Sequence, residues 1–213
     1  MSKIEELATA VGSGRAKIVP GLVQECLDEG DAPIDILNKG MIDAMAVVGE
    51  KFKNNEIFVP EMLVAAKAMK KGVEVLKPHL AGDNSAKLGK MVMGTVHDDL
   101  HDIGKNLVIM MIESTGYEVV DLGIDVPVEK FVEAANDPEV SVVGVSALLT
   151  TTMPAMQETV AALNKSPRRS EFKIMVGGAP ITQAFCDEIG ADVYTADAAS
   201  AGQAAKALAL ARE

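Results

Sequence analysis

Gly94 to Val108 reads GTVHDDLHDIGKNLV, and the fold turns on this stretch. A short β-rich run, Lys90 to Val96, ends in a polar loop from His97 to Gly104. The chain then resumes as an apolar stretch, Leu107 to Ile112. A strand, a loop and a helical stretch in that order make one βα unit. Working outward, four more β-rich runs recur with helical stretches between them: Tyr117 to Asp121, Val140 to Val145, Lys173 to Val176 and Asp192 to Tyr194. Five such units predict an α/β, doubly wound, five-stranded parallel sheet of strand order 2-1-3-4-5 rather than a closed eight-stranded barrel. The ligand crevice of such a sheet lies beyond the carboxyl ends of the strands, at the switch between strands one and three.

Before the sheet the rhythm is helical. Ile4 to Val11 is a short helix. Lys17 to Leu27 carries Ile18, Leu22, Val23 and Leu27 on one side, with Pro20 tolerable only in the first turn. Asp31 reads as the N-cap of a third helix through Ile36, Met41, Ile42, Met45 and Val48 towards Phe52. Pro60 opens a fourth, whose Leu63, Ala66, Met69, Val73 and Leu76 run down to Pro78. Four helices of this length predict a small bundle. The segment LAGDNSAKLG, Leu80 to Gly89, has the composition of a flexible joint, so the expected division is a helical cap at 1–85 and a sheet domain at 86–213.

Composition excludes several classes of function. Thirty-one acidic against 20 basic residues give a net charge of -11, which repels a phosphate backbone, so no nucleic acid partner is expected. Cys26 and Cys186 form no CxxC pair, so neither a disulfide framework nor a thiolate zinc site is supported. Leu107 to Ile112 is far short of the roughly 20 residues a membrane span needs. The first residues resemble no export signal, and the expected home is the reducing cytoplasm.

Three loops face the expected crevice. His97-Asp98-Asp99-Leu100-His101-Asp102-Ile103-Gly104 packs two of the three histidines beside three carboxylates. Ser146-Ala147-Leu148-Leu149-Thr150-Thr151-Thr152 is rich in hydroxyls, and Gly177-Gly178-Ala179-Pro180 lets a backbone approach something closely. A phosphorylated receiver would need aspartate where Ser146 stands. A flavin site would need a phosphate-cradling loop and aromatic walls, yet the first loop is acidic and the chain has no Trp and only two Tyr. Zinc competes, because His97 and His101 stand four apart and would share a face were the segment helical. His101 could also simply cap the following helix and bond Asp99.

Taken together, Asp99-x-His101-x-x-Gly104, then Ser146-x-Leu148, then Gly177-Gly178 resemble the three-part signature of the B12-binding domain of cobalamin-dependent methionine synthase, corrinoid methyltransferase systems and several mutases. The fold this implies is flavodoxin-like (Rossmann-like). Gly49-Glu50-Lys51-Phe52 and Glu56 to Leu63 are similar to the helical cap that precedes this domain in the methyl-transferring branch, so the resemblance covers nearly the whole chain.

The resemblance implies a cobalamin or related corrinoid bound base-off, with His101 as the lower axial cobalt ligand and Asp99 orienting its imidazole. Thr152 holds the position where methionine synthase relays this bond to serine. Gly104, Ser146, Leu148, Thr150, Gly177 and Gly178 are the other expected cofactor contacts, with Phe52 and Val59 shielding the upper face. The family more often has leucine where this chain has Val59. The implied function is a methyl carrier that takes a methyl group on Co(I) from a substrate-specific corrinoid methyltransferase and yields it from methyl-Co(III) to a second methyltransferase acting on coenzyme M or a tetrahydrofolate. The chain has no room for the domains that activate donor or acceptor, so it resembles the non-autonomous corrinoid subunit of a methylamine, methanol or methoxyaryl system in methanogens or acetogens, kept active by a reductive activase. Methylamines are the preferred donors. A cobalamin-dependent sensor and the B12 subunit of a mutase are the alternatives; the first lacks a DNA-binding helix and the second does not carry this cap.

Overall fold

Ser2 starts the first helix with a reciprocal pair of bonds. Its Oγ accepts the Glu5 N–H at 3.2 Å while Glu5 Oε2 accepts the Ser2 N–H at 2.7 Å, a capping box in front of α1 (Lys3–Gly12). In this computed structural model the described residues are 2–76, 78–79 and 88–211. Residues 80–87 of the expected joint lie outside them. Two compact units emerge, Met1–Lys87 with Ser114–Gly116, and Leu88–Glu113 with Tyr117–Glu213.

In the helical unit, α2 (Val19–Asp28) carries Pro20 in its first turn, where the missing N–H costs nothing. The third stretch is not one regular helix. α3 (Pro33–Leu37) passes through a π-turn, Asn38–Ile42, into α4 (Asp43–Lys53). The five-residue step from Ile36 to Met41 is the sequence trace of that turn, because i→i+5 bonding takes up one more residue than an α-turn. Gly40 lies within the turn and against α1: a Cβ there would come 2.7 Å from Leu7 Cδ2. Ala32, not Asp31, is the N-cap of α3, since Pro33 fixes the first turn and no side chain caps it. α5 (Val59–Leu76) completes the bundle, whose core is built on Leu7, Val23, Ile36, Met41, Met45, Met62 and Leu76.

Cys26 is buried in that core, and burial pushes its thiol up to about 11, with Asp31, Glu29 and Glu25 adding to the rise. Burial also raises the thiol of Cys186. At pH 8 the Cys26 thiol is about one part in a thousand thiolate, the reactive form. Neither cysteine should therefore react with a thiol reagent in the native protein, and both should react after unfolding in urea; absorbance of the released chromophore checks this.

The second unit is a five-stranded, all-parallel sheet of order β2-β1-β3-β4-β5. Its strands are β1 (Gly89–Val96), β2 (Tyr117–Val126), β3 (Val140–Ser146), β4 (Lys173–Gly177) and β5 (Val193–Tyr194). Between them run α6 (Ile103–Glu113), α7 (Val128–Ala135), α8 (Met153–Asn164) and α9 (Gln183–Ile189), and α10 (Ala198–Leu210) follows the last strand. Side chains alternate across the sheet, so Met91 and Met93 pack with Ala201 and Ala205 of α10 while Val92 and Val96 pack with Phe131 of α7 and Met156 of α8. Both faces are covered, as parallel sheets require. No described helix is long and apolar enough to cross a membrane.

One strand runs five residues past its expected end. β2 continues past Asp121 to Val126, and its register on β1 slips twice, pairing Met93 with Asp121, Gly94 with Gly123 and Val96 with Val126. Gly123 at φ 91° and Asp125 at φ 50° supply the left-handed backbone these bulges need. At the carboxyl edge Thr95 of β1, Ser146 of β3 and Gly177 of β4 stand in one row.

Candidate functional site

The loop after β1 is held from both sides. Asp99 N–H returns to the Val96 carbonyl at 3.2 Å, and the buried Thr95 hydroxyl donates to the His101 carbonyl at 2.9 Å. From the β2 extension, the Asp125 N–H donates to the Asp99 carbonyl at 3.0 Å. Asp125 Oδ1 accepts the Asp98 N–H at 2.8 Å and lies 2.7 Å from His97 Nδ1. These bonds to Asp98 and His97 hold the Asp125 carboxyl below its ordinary range.

At the centre Asp99 is fully buried, and both of its oxygens are occupied twice. Oδ1 accepts the His101 N–H at 3.0 Å and the His101 Nδ1 at 2.8 Å. Oδ2 accepts the Leu148 N–H at 2.7 Å and the Thr152 hydroxyl at 2.8 Å. Burial alone would push this carboxyl up. The donors from Leu148, His101 and Thr152 outweigh it and hold the group at about 2. Because Asp99 is ionised, Nδ1 of His101 must carry the proton that binds it, and in the neutral imidazole Nε2 then keeps its lone pair. That is the arrangement of a metal-ligating histidine with its orienting carboxylate.

The His101 side chain is 48% exposed, in a loop that also exposes large apolar side chains. Leu100 and Ile103, on either side of it in sequence, are 68% and 77% exposed, and Leu148 and Leu149 from the β3 loop are exposed as well. A Cβ at Gly104 would meet nothing within 4 Å, so the protein's own packing gives no reason for glycine there. An imidazole nitrogen with a free lone pair, exposed aliphatic side chains and open ground at Gly104 together suit a flat, largely apolar ligand with a metal at its centre.

Of the remaining expected residues, Ser146 and Gly177 are half-buried in the row described above, and Thr150 opens the single turn Thr150–Thr152. Gly178, at φ 134°, passes so close to the next loop that a Cβ would overlap the Ala147 carbonyl. Gly178→Ala should therefore destabilise the sheet unit by about 2–3 kcal/mol through backbone strain and displacement of the Ala147 peptide, measured as a lower urea midpoint. Phe52 and Val59 belong to the helical unit and are half-buried there, at the end of α4 and the start of α5.

Zinc loses its premise, since residues 97–102 are turn and loop rather than helix, and the two imidazoles turn to different carboxylates. Sequence reasoning missed Leu100, Ile103, Asp125 and Lys105. The first two had a signal, being large apolar residues inside a charged loop. Asp125 had none, because its part comes from the β2 bulge.

Comparison with known proteins places the chain in a family. Two family profiles, each described as a B12 binding domain, match residues 3–77 and 89–206. The dimethylamine corrinoid protein 1 of Methanosarcina acetivorans is 42% identical over 206 residues, covering 96% of each chain. The trimethylamine corrinoid protein 1 of the same organism is 42% identical over 175 residues, 81% of each chain. Among solved structures, the methanol:cobalamin methyltransferase complex of Methanosarcina barkeri contains a chain that superposes with a TM-score of 0.85 at 31% identity, covering 98% of this chain and 80% of that one.

Proposed function

Since this chain belongs to the B12-binding corrinoid proteins of methyltransferase systems, we propose that it is a non-autonomous methyl carrier serving methylated amines, with His101 as the lower ligand of a base-off corrinoid. The observation that carries this reading is the His101 imidazole, fixed through Nδ1 by a buried, ionised Asp99, in a loop that also exposes Leu100 and Ile103. Bound there, the corrin's cobalt would supply the chemistry, accepting a methyl group when reduced and surrendering it when methylated.

The chain's own residues bind and orient. Asp99 holds the imidazole tautomer, and Thr152 fixes Asp99 from the far side. Leu100, Ile103 and Leu148 would exclude water from the bound group, Gly104 would leave room for it, and Ser146, Thr150, Gly177 and Gly178 would hold its nucleotide tail. Phe52 and Val59 would be the helical unit's own contacts with the corrinoid. The partners are a corrinoid methyltransferase that activates the amine, a second methyltransferase that delivers to coenzyme M or a tetrahydrofolate, and a reductive activase, all in the cytoplasm. The names of the two amine-linked relatives support the choice of donor.

The test begins with the purified protein and hydroxocobalamin, followed by reduction and addition of dimethylamine or trimethylamine with the matching methyltransferase. A one-to-one complex whose visible spectrum shifts to the methylated form with an amine is expected. A protein that binds no corrinoid overturns the carrier, and one methylated only from methanol overturns the amine assignment.

A further inference from the structure

Lys105 is an odd residue for its place. It lies in the first turn of α6, where a positive charge opposes the helix dipole, and its side chain is only 1% exposed. Burying an ammonium group costs several kcal/mol unless partners compensate. Here they do: Nζ lies 2.7 Å from both oxygens of Asp121 and 2.8 Å from Asn106 Oδ1. A leucine or methionine would fill the same space without either penalty, so packing does not account for the charge.

The pair does join two parts of the site. Lys105 immediately follows Gly104, at the far end of the loop that bears His101. Asp121 stands where β2 begins its irregular extension, and its Oδ1 also accepts the Gly123 N–H at 2.9 Å. That extension carries Asp125, which grips the near end of the same loop through Asp98 and the Asp99 carbonyl. We infer that the Lys105–Asp121 ion pair is a positioning device, closing a brace from α6 through β2 that holds the His101 loop in its ligating geometry. This rests on the proposed reading of His101 as the lower ligand.

The test compares Lys105→Met and Asp121→Asn with the conservative Lys105→Arg, and with Arg169→Met, which breaks the remote Arg169–Asp192 pair. In the protein without corrinoid, amide exchange at His101 and Leu148 reports the bonds to Asp99. Both N–H groups should exchange at least tenfold faster in Lys105→Met and in Asp121→Asn, keep their protection within threefold in Lys105→Arg, and be unchanged in Arg169→Met. In the reconstituted Co(II) protein the nitrogen splitting of the electron paramagnetic resonance lines should weaken in the same two variants. Wild-type exchange and splitting in a folded Lys105→Met would overturn the inference and leave the pair a packing element. If wild type itself shows no nitrogen splitting, the lower-ligand reading fails, and the exchange measurement still decides the brace.

Discussion

His101→Ala should bind hydroxocobalamin at least tenfold more weakly and lose the nitrogen splitting of the Co(II) spectrum, while unfolding within about 3 °C of wild type. The two halves of that expectation come from the same geometry. The imidazole is half exposed, so little packing is lost with it. The backbone N–H at position 101 remains to satisfy Asp99 Oδ1, and Oδ2 keeps both of its donors. What goes outright is the Nδ1 bond to Asp99 Oδ1, whose oxygen keeps one donor, and the nitrogen proposed to bind the metal. Added imidazole should restore the nitrogen splitting in part, because removing a half-exposed side chain leaves an open space rather than a collapsed one. Unchanged affinity and an unchanged spectrum would take His101 out of the ligating role.

Asp99→Asn should do the reverse and strike the protein before any ligand is considered. The amide keeps the shape of the carboxylate but turns a donor towards groups that are themselves donors. If its NH2 faces the β3 loop, the Thr152 hydroxyl can turn to accept, but the Leu148 N–H loses its acceptor. If it faces His101, the backbone N–H there is orphaned. An unsatisfied buried group with the loss of a charged acceptor is worth about 3–4 kcal/mol, or about 10 °C in the thermal transition of the sheet unit.

The deficit should also depend on pH in a defined direction. The folded carboxyl titrates at about 2, below the 3.8 of a free one. Its ionised form therefore favours the fold by about 2 kcal/mol. That contribution is whole above about pH 4 and disappears as the pH falls through about 2. Thermal midpoints of wild type and Asp99→Asn, measured from pH 7 downward, should converge over that window. Parallel curves would mean that Asp99 is not the anionic anchor of the site.

The sheet, its strand order and the crevice were legible because alternating β-rich and helical runs leave few topologies, and the motif residues fall at the switch point. Asp99 and Thr152 could be named from the resemblance, but their shared hydrogen bond could not be read from spacing, since it joins loops after two different strands. Leu100 and Ile103 were quoted as spacers within the motif, yet they are the most exposed large apolar side chains of the sheet unit. Asp125 and Lys105 were beyond sequence reasoning for a common reason. Asp125, and the link from the Lys105–Asp121 pair to the His101 loop, depend on β2 continuing past Asp121 through two register slips, and a run of DLGIDV, with its glycine and aspartates, reads as the end of a strand.

The π-turn at Asn38–Ile42 makes the helical unit tolerant of length change at one address. A single residue added to an α-helix rotates everything after it by about 100°, which would swing Met45 and Val48 out of the bundle core. The turn absorbs one such residue within itself, so the faces before and after it stay in phase. Removing one residue between Asn38 and Ile42 should give a continuous α-helix with the same buried faces, whereas removing one from the middle of α4 should scramble them. Alignments of this chain with shorter relatives should accordingly place a one-residue gap at the turn, and a designer shortening the cap would cut there first.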